Sequence, residues 1–376
     1  VRAEVLFWIA AGLVAYTYAG YPLLLAAMRA IFRRPVERRP IEPPPFVSIL
    51  VPAYNESRVI AEKIRNVLAI DYPADRYELV VACDGPSDGT SDIVRSMADG
   101  ARVRAFIFEQ NRGKLHVLND VVPRLRGEIV AFSDASSMLE PEAIRRLVAN
   151  FADERVGAAS GVYRVQKKDA AQLGRQEDFY WRYETFLKKQ EAAIGSILGA
   201  HGSLYAIRRD LYPFPRPDTI NDDYVIPLRI VQRGFRVAYE PGAVAHEEAH
   251  EMGGFGRRVR IMAGNVEQLR EIGPLVWPPR PLMLFFFLSH KAARLVVPAA
   301  LVVAAIANLA LLDRPVYRAL AVLQLAFYAL VALGGFVQLR PKILRLPYYF
   351  CMINAAVLVG AYHVLRGRHT LRWKHQ

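Results

Sequence analysis

Cysteine is nearly absent: the 376 residues contain two, Cys83 and Cys351. One lies in a β-rich apolar run and the other in a long apolar run near the C-terminus, so the fold does not rest on a disulfide framework. Acidic residues are also scarce, 36 against 49 Lys and Arg, giving a formal net charge of +13. That excess could point to nucleic acid, but no RNA-binding signature and no basic patch interleaved with aromatics accompanies it. The basic residues instead flank the apolar ends, in RAIFRRPVERRP, RPKILR and RGRHTLRWKHQ. Such clusters are the cytoplasmic flanks of membrane segments. Internal repeats and low-complexity tracts are missing too, which excludes solenoids and disordered arrays.

Apolar residues are plentiful, at 53%. Residues 5–32 form a 28-residue stretch whose single charge is Arg29, long enough to span a bilayer with some tilt. The run is too long for a signal peptide and lacks a small-x-small cleavage site. Arg29, Arg33, Arg34, Arg38 and Arg39 place its C-terminal end in the cytoplasm. PIEPPP at 40–45 is a stiff spacer. From Pro281 the chain turns apolar again. A Phe-rich stretch carrying His290, Lys291 and Arg294 suits the membrane interface, and 295–312, 316–339 and 346–365 are each long enough to cross. The expected division is therefore 1–40 (membrane helix and basic linker), 46–275 (catalytic domain) and 280–376 (interfacial and membrane helices).

Between these ends, β-rich runs alternate with amphipathic ones. FVSILVPA, YELVVAC, VRAFIFE and EIVAFSD read as strands, and residues 57–70, 91–100, 114–125 and 141–153 as helices. This alternation predicts a mostly parallel sheet with helices on both faces. Further strands are expected at 157–165 and 235–246, with no direction assigned. Polar clusters follow or precede the apolar runs: Asn55-Glu56, Asp84, Asp134 with Ser136, and Asp222-Asp223. A lone Asp after a strand is commonly a turn former or helix cap. Four such clusters at strand ends, where open α/β sheets bind ligands, point to a site. His246-Glu247-Glu248-Ala249-His250 matches H-E-x-x-H, but a strand-and-turn pattern precedes it and Gly253-Gly254 follow within a turn. The helix that a zinc protease needs there is not expected.

Six motifs occur in order: PAYNE (52–56), CDGPSDGT (83–90), NRGKLHVLN (111–119), SDASS (133–137), NDD (221–223) and RRVR (257–260). Over about residues 46–272 the chain resembles the family 2 glycosyltransferases, and more narrowly the membrane-integrated members that make polysaccharides or glycolipids. The resemblance implies a GT-A fold that binds a nucleoside diphosphate sugar, most simply a UDP-sugar. Pro52, Ala53, Tyr54 and Glu56 would hold base and ribose, with Asp84 on the nucleoside. Lys114 is a point charge suited to a phosphate.

The family's metal motif is Asp-x-Asp; here Asp134 matches and Ser136 replaces the second acid. Mg²⁺ or Mn²⁺ is implied, with His246 as an additional ligand. Asp223 matches the general base, with Asp222 in place of the usual Glu. Arg257 and Arg260 match a diphosphate-binding pair, and Ile261 replaces the Trp that follows. One base and a metal-stabilised leaving group imply a single inverting displacement. The acceptor would be a growing extracellular polysaccharide or, alternatively, a lipid receiving one sugar. The resemblance places the protein in the bacterial inner membrane with its catalytic domain in the cytoplasm. A non-catalytic sensor of nucleotide sugars is the alternative of another class; the set Asp84, Asp134 and Asp223 argues against it.

Overall fold

The computed structural model describes residues 2–166, 174–248, 255–269, 273–276, 279–336 and 342–366. Its contacts divide the chain into two compact units. One comprises Phe32–Ala171, Lys188–Met252 and Thr370–Gln376; the other comprises Val1–Ile31, Gln172–Leu187 and Gly253–His369.

The first unit is α/β. Its strands are β1 (Val47–Ala53), β2 (Tyr77–Asp84), β3 (Val103–Phe108), β4 (Ile129–Phe132), β5 (Ser137–Leu139), β6 (Val156–Gln166), β7 (Tyr205–Arg208) and β8 (Arg236–Glu248). They form one sheet in the order β3-β2-β1-β4-β7-β6-β8-β5. The first four are mutually parallel. β7 runs antiparallel to β4 and β6, β6 and β8 pair in parallel, and β5 is antiparallel to β8. The four strands expected from VSILVPA to EIVAF are all present, and the directions of the two later ones are now assigned.

Every residue of β1 and of β2 is buried. That is why they read as continuous apolar runs: parallel strands with both faces covered have no solvent side to alternate with. Helices Ile60–Leu68, Thr90–Met97, Lys114–Val121 and Ala143–Val148 follow successive strands. Ile60, Ile64 and Val67 of the first join Ile49, Val51, Leu79 and Val81 in the core. β1 outruns β4 by three residues, because its last β4 partner is Leu50, opposite Phe132. Pro52, which has no N–H to give a second neighbour, is tolerated there.

The second unit is helical. Among the described residues, four helices are long and apolar enough to cross a membrane: Arg2–Ile31, Pro281–Leu309, Pro315–Phe336 and Leu346–Leu365. The stretch expected at the interface from Pro281 is continuous with the following span, through a π-helical turn at Phe287–Ala292. Charge compensation explains how it holds its basic residues: Glu184 of helix Gly174–Ile194 accepts from Arg294 and lies 3.2 Å from His290 Nε2. Ionisable groups in such helices are costly unless paired. Helix Phe255–Glu267, which carries RRVR, packs on Leu346–Leu365. A Cβ at Gly360 would lie 2.8 Å from the Ala263 nitrogen and 3.0 Å from the Val259 carbonyl oxygen. Only glycine lets the two backbones approach this closely.

Candidate active site

The site forms where β1, β2 and β4 end. After β1 the chain turns through Asn55, whose φ of 54° lies in the left-handed region that Asn enters more readily than most residues. Its Oδ1 accepts the Ser87 N–H at 2.8 Å, and the Glu56 and Ser57 N–H groups donate to Thr90 Oγ1 and Asp88 Oδ2. The PAYNE and DGPSDGT loops are thus bound into one ledge. Asp88 itself has a pKa of about 2: burial raises it, but hydrogen bonds from Thr90 and Ser57 outweigh that. Tyr54 and Glu56 stand partly exposed on this ledge, while Pro52 and Ala53 are buried in β1.

Asp84, expected on the nucleoside, is fully buried. Its two oxygens accept the Arg112 N–H at 2.9 Å and the Gly113 N–H at 2.8 Å. It anchors the NRGK loop and so fixes the start of helix Lys114–Val121. The loop passes so close to the end of β2 that a Cβ at Gly85 would lie 2.5 Å from the Asn111 nitrogen.

Lys114 is brought among three carboxylates. Its Nζ is 3.1 Å from Asp134 Oδ1 and 3.2 Å from Asp222 Oδ2. Burial opposes its charge, but Asp134, Asp222 and Asp223 together raise its pKa above the usual lysine value. Asp222 and Asp223 open helix Asp222–Gln232, where acidic groups favour the helix dipole. The capping role expected of them and a catalytic one therefore coexist. The Gly202 N–H donates to Asp223 Oδ2 at 3.2 Å, and a Cβ at Gly202 would lie 3.6 Å from Asp134 Oδ2. Gly202 is therefore packed between these two acids. Burial, and next the charge of Asp222, raise the Asp223 pKa to about 6.

Several supporting residues escaped the sequence reading. Lys63, fully buried, donates to Ser133 Oγ at 2.7 Å and to the Ser137 carbonyl, bracketing the Asp134 loop from below. Ser133 Oγ in turn donates to the Ser203 carbonyl at 2.8 Å, tying that loop to the Gly202 loop. Burial lowers the Lys63 pKa to about 7 against the pull of Asp134. Lys188 Nζ sits 3.3 Å from His201 Nε2, and its charge lowers the Asp223 pKa. A lysine inside an amphipathic helix is the only signal for Lys63; its neighbours are distant in sequence.

Asp134 is half-exposed beside Lys114. Ser136 Oγ is 2.8 Å from Glu247 Oε1. His246 Nε2, expected as an additional ligand, lies 2.8 Å from Glu140 Oε1. Arg257 and Arg260 lie on helix Phe255–Glu267 of the helical unit, where the side chains of Arg260 and Ile261 are exposed. The side chain of Arg257 is outside the described residues. Between them, Arg258 donates to the Tyr349 hydroxyl at 3.1 Å and stacks on its ring.

The α/β unit, with its mostly parallel sheet and Asp134, Lys114 and Asp222-Asp223 grouped at the site, is a GT-A-like domain. The chain belongs to the family 2 glycosyltransferases: the family model described as "Glycosyltransferase like family 2" matches residues 43–263. Among relatives, it is 27% identical over 233 residues to poly-β-1,6-N-acetyl-D-glucosamine synthase of Staphylococcus aureus, covering 59% of this chain and 55% of the other. It is 32% identical over 199 residues to β-monoglucosyldiacylglycerol synthase of Trichormus variabilis, covering 50% and 41%. The chain thus spans about half the length of the curated relatives it matches. Among solved structures, the mannosyltransferase PcManGT of Pyrobaculum calidifontis, in complex with GDP-Man and Mn²⁺, superposes with a TM-score of 0.73 at 26% identity. That match covers 96% of this chain and 99% of the other.

The residues present fit a hard divalent cation in their chemistry. Three carboxylates (Asp134, Asp222 and Asp223) gather around Lys114, and Asp134 is half-exposed, so oxygen ligands of the kind hard cations take are present. Among the described residues no three His, Cys, Asp or Glu side chains converge as a complete cage. Mg²⁺-type sites need none, because one or two carboxylates and the substrate's phosphates complete the shell.

Proposed function

We propose that this chain transfers a sugar, with inversion, from a nucleoside diphosphate donor, UDP-linked in the first instance, to a membrane-proximal acceptor in polysaccharide synthesis. The observation that carries this reading is the placement of Asp223, raised to about 6 and held by the Gly202 N–H, across Gly202 from Asp134. One base, Asp223, thus stands across Gly202 from the cation-binding Asp134, while Asp222 is paired with Lys114.

The base and ribose lie on the ledge of Tyr54 and Glu56, with Asp84 acting through the loop it anchors. Lys114 receives the diphosphate and exchanges its carboxylate partners for phosphate oxygens. Asp134, with Ser136 beside it, would hold Mg²⁺ or Mn²⁺, which would supply charge neutralisation for the departing diphosphate. Asp223 takes the proton of the acceptor hydroxyl as that oxygen attacks the anomeric carbon. Arg257 and Arg260 add charge-assisted contacts to the donor diphosphate. The four apolar helices keep the protein in the bilayer, with the transferase unit on the cytoplasmic side.

The match along nearly the whole chain to a mannosyltransferase holding GDP-Man favours a second reading, a GDP-linked donor. The diacylglycerol-glucosylating relative supports a lipid acceptor that receives one sugar. Purified protein in lipid nanodiscs, given a panel of UDP- and GDP-sugars with Mn²⁺, separates these by which nucleoside diphosphate is released. Release of neither from any donor, with or without added lipid, contradicts transfer altogether.

A further inference from the structure

The acid missing at Ser136 is matched by one on another strand. Ser136 Oγ donates to Glu247 Oε1 at 2.8 Å, although 111 residues separate them. β5 and β8 pair in the register Ser137↔Glu247 and Met138↔His246. Neighbouring side chains on a strand leave on opposite faces. His246 accordingly turns to Glu140, and Glu247 turns to the Asp134–Ser136 turn. That turn is closed by the Ser137 N–H on the Asp134 carbonyl, at 3.2 Å. A carboxylate therefore stands one hydrogen bond beyond the position where an Asp-x-Asp pattern carries its second acid. Asp134 already shares its charge with Lys114 at 3.1 Å. A neutral serine adds an oxygen but no charge, and the number of charged oxygen ligands is one of the factors that tune hard-cation affinity.

We propose that Glu247 is the second carboxylate of the divalent-cation site, acting from β8 in place of an acid at position 136. The inference rests on the transferase reading above. By donating its proton to Glu247, the Ser136 hydroxyl keeps its lone pairs available to a cation or to cation-bound water. The ligand is a hard divalent cation, Mn²⁺ or Mg²⁺, carried with a nucleoside diphosphate.

Glu247→Gln separates this from a merely structural role. The amide keeps an acceptor oxygen for the Ser136 hydroxyl but loses the charge. Full-length protein in nanodiscs is titrated with Mn²⁺, with and without UDP, and free Mn²⁺ is read by its electron paramagnetic resonance signal; no turnover is involved. The expected result is a loss of Mn²⁺ affinity of about tenfold or more in Glu247→Gln, the scale seen when a supporting carboxylate is removed from a metal site. Adding Ser136→Asp to that variant restores binding, because the charge returns two residues from Asp134. Unchanged Mn²⁺ affinity in Glu247→Gln overturns the inference and leaves the transferase reading to the donor panel. Failure of the double variant to regain binding also overturns it. If the unmodified protein binds no Mn²⁺ with either UDP or GDP, the cation-site inference falls, and the donor panel alone decides the transferase reading.

Discussion

The main-chain N–H of Gly202 donates to Asp223 Oδ2 at 3.2 Å. An N–H donor favours the ionised carboxylate, whereas burial and Asp222 favour the protonated one. Asp223 is thus oriented by backbone and left close to the balance point between acid and base.

Asp223→Asn should keep this geometry, because the amide oxygen can still accept from Gly202. Transfer should fall by about 10²–10⁴-fold, the usual worth of a general base. Affinity for the donor, measured calorimetrically, should change little. Turnover comparable to that of the unmodified protein would remove Asp223 from the mechanism.

The pH dependence follows from the same group. Only ionised Asp223 accepts a proton, so kcat should rise with pH through about 6 and level off above it. Asp222→Asn removes a neighbouring negative charge and should move the inflection to lower pH. For stability the sign is opposite. A carboxyl whose folded pKa is raised from 3.8 to about 6 contributes most below the unfolded value, and that contribution is lost as pH rises through about 6. A rate profile flat from pH 5 to 8 would contradict the assignment.

Lys114→Met leaves Asp134, Asp222 and Asp223 facing an incoming diphosphate without their shared cation. The donor KM should rise by roughly tenfold or more, as one charge-assisted contact of about 1.5–3 kcal/mol is lost and repulsion remains. A kcat effect with unchanged KM would place Lys114 outside donor binding.

Lys63→Met tests the support beneath the Asp134 loop. The Ser137 carbonyl loses its buried donor, at a cost of about 1–3 kcal/mol in unfolding experiments. Burial lowers the folded pKa of Lys63 from 10.5 to about 7, so the unmodified protein should gain stability as pH rises from 7 toward 10.5. The methionine variant should lack that part of the slope. Identical melting curves for the two proteins at pH 7 and pH 9 would show that Lys63 supports nothing.

Arg260→Ala should weaken donor binding and slow transfer if the arginine meets the diphosphate. A lipid-contact role would spare donor affinity in detergent. With Ile261 in place of an aromatic platform, short products or single additions are expected, and Ile261→Trp should lengthen them. Long polymer from the unmodified protein would show that Ile261 does not limit extension.

The parallel strands were legible because burial on both faces writes an uninterrupted apolar run, and Asp134 and Asp222-Asp223 because a carboxylate beside such a run stands out. What stayed hidden depends on pairing between distant strands. Glu247 reaches Ser136 only through the β5–β8 register, and the alternation that sends it there turns His246 to Glu140. Asp84 was recognisable as a motif residue, yet its partners are main-chain N–H groups, which no side-chain pattern records. Lys63 sits in an ordinary amphipathic helix, where a lysine normally marks the solvent face.

Gly360 presses helix Leu346–Leu365 against the backbone of Phe255–Glu267, and Tyr349 holds Arg258 on the same pair. Two helices in backbone contact tilt as one body. A span changes its tilt to match the thickness of the surrounding hydrocarbon. Where Leu346–Leu365 crosses a bilayer, the arginine-bearing helix packed on it shares its tilt, so the acyl-chain length of the host lipids would act on both.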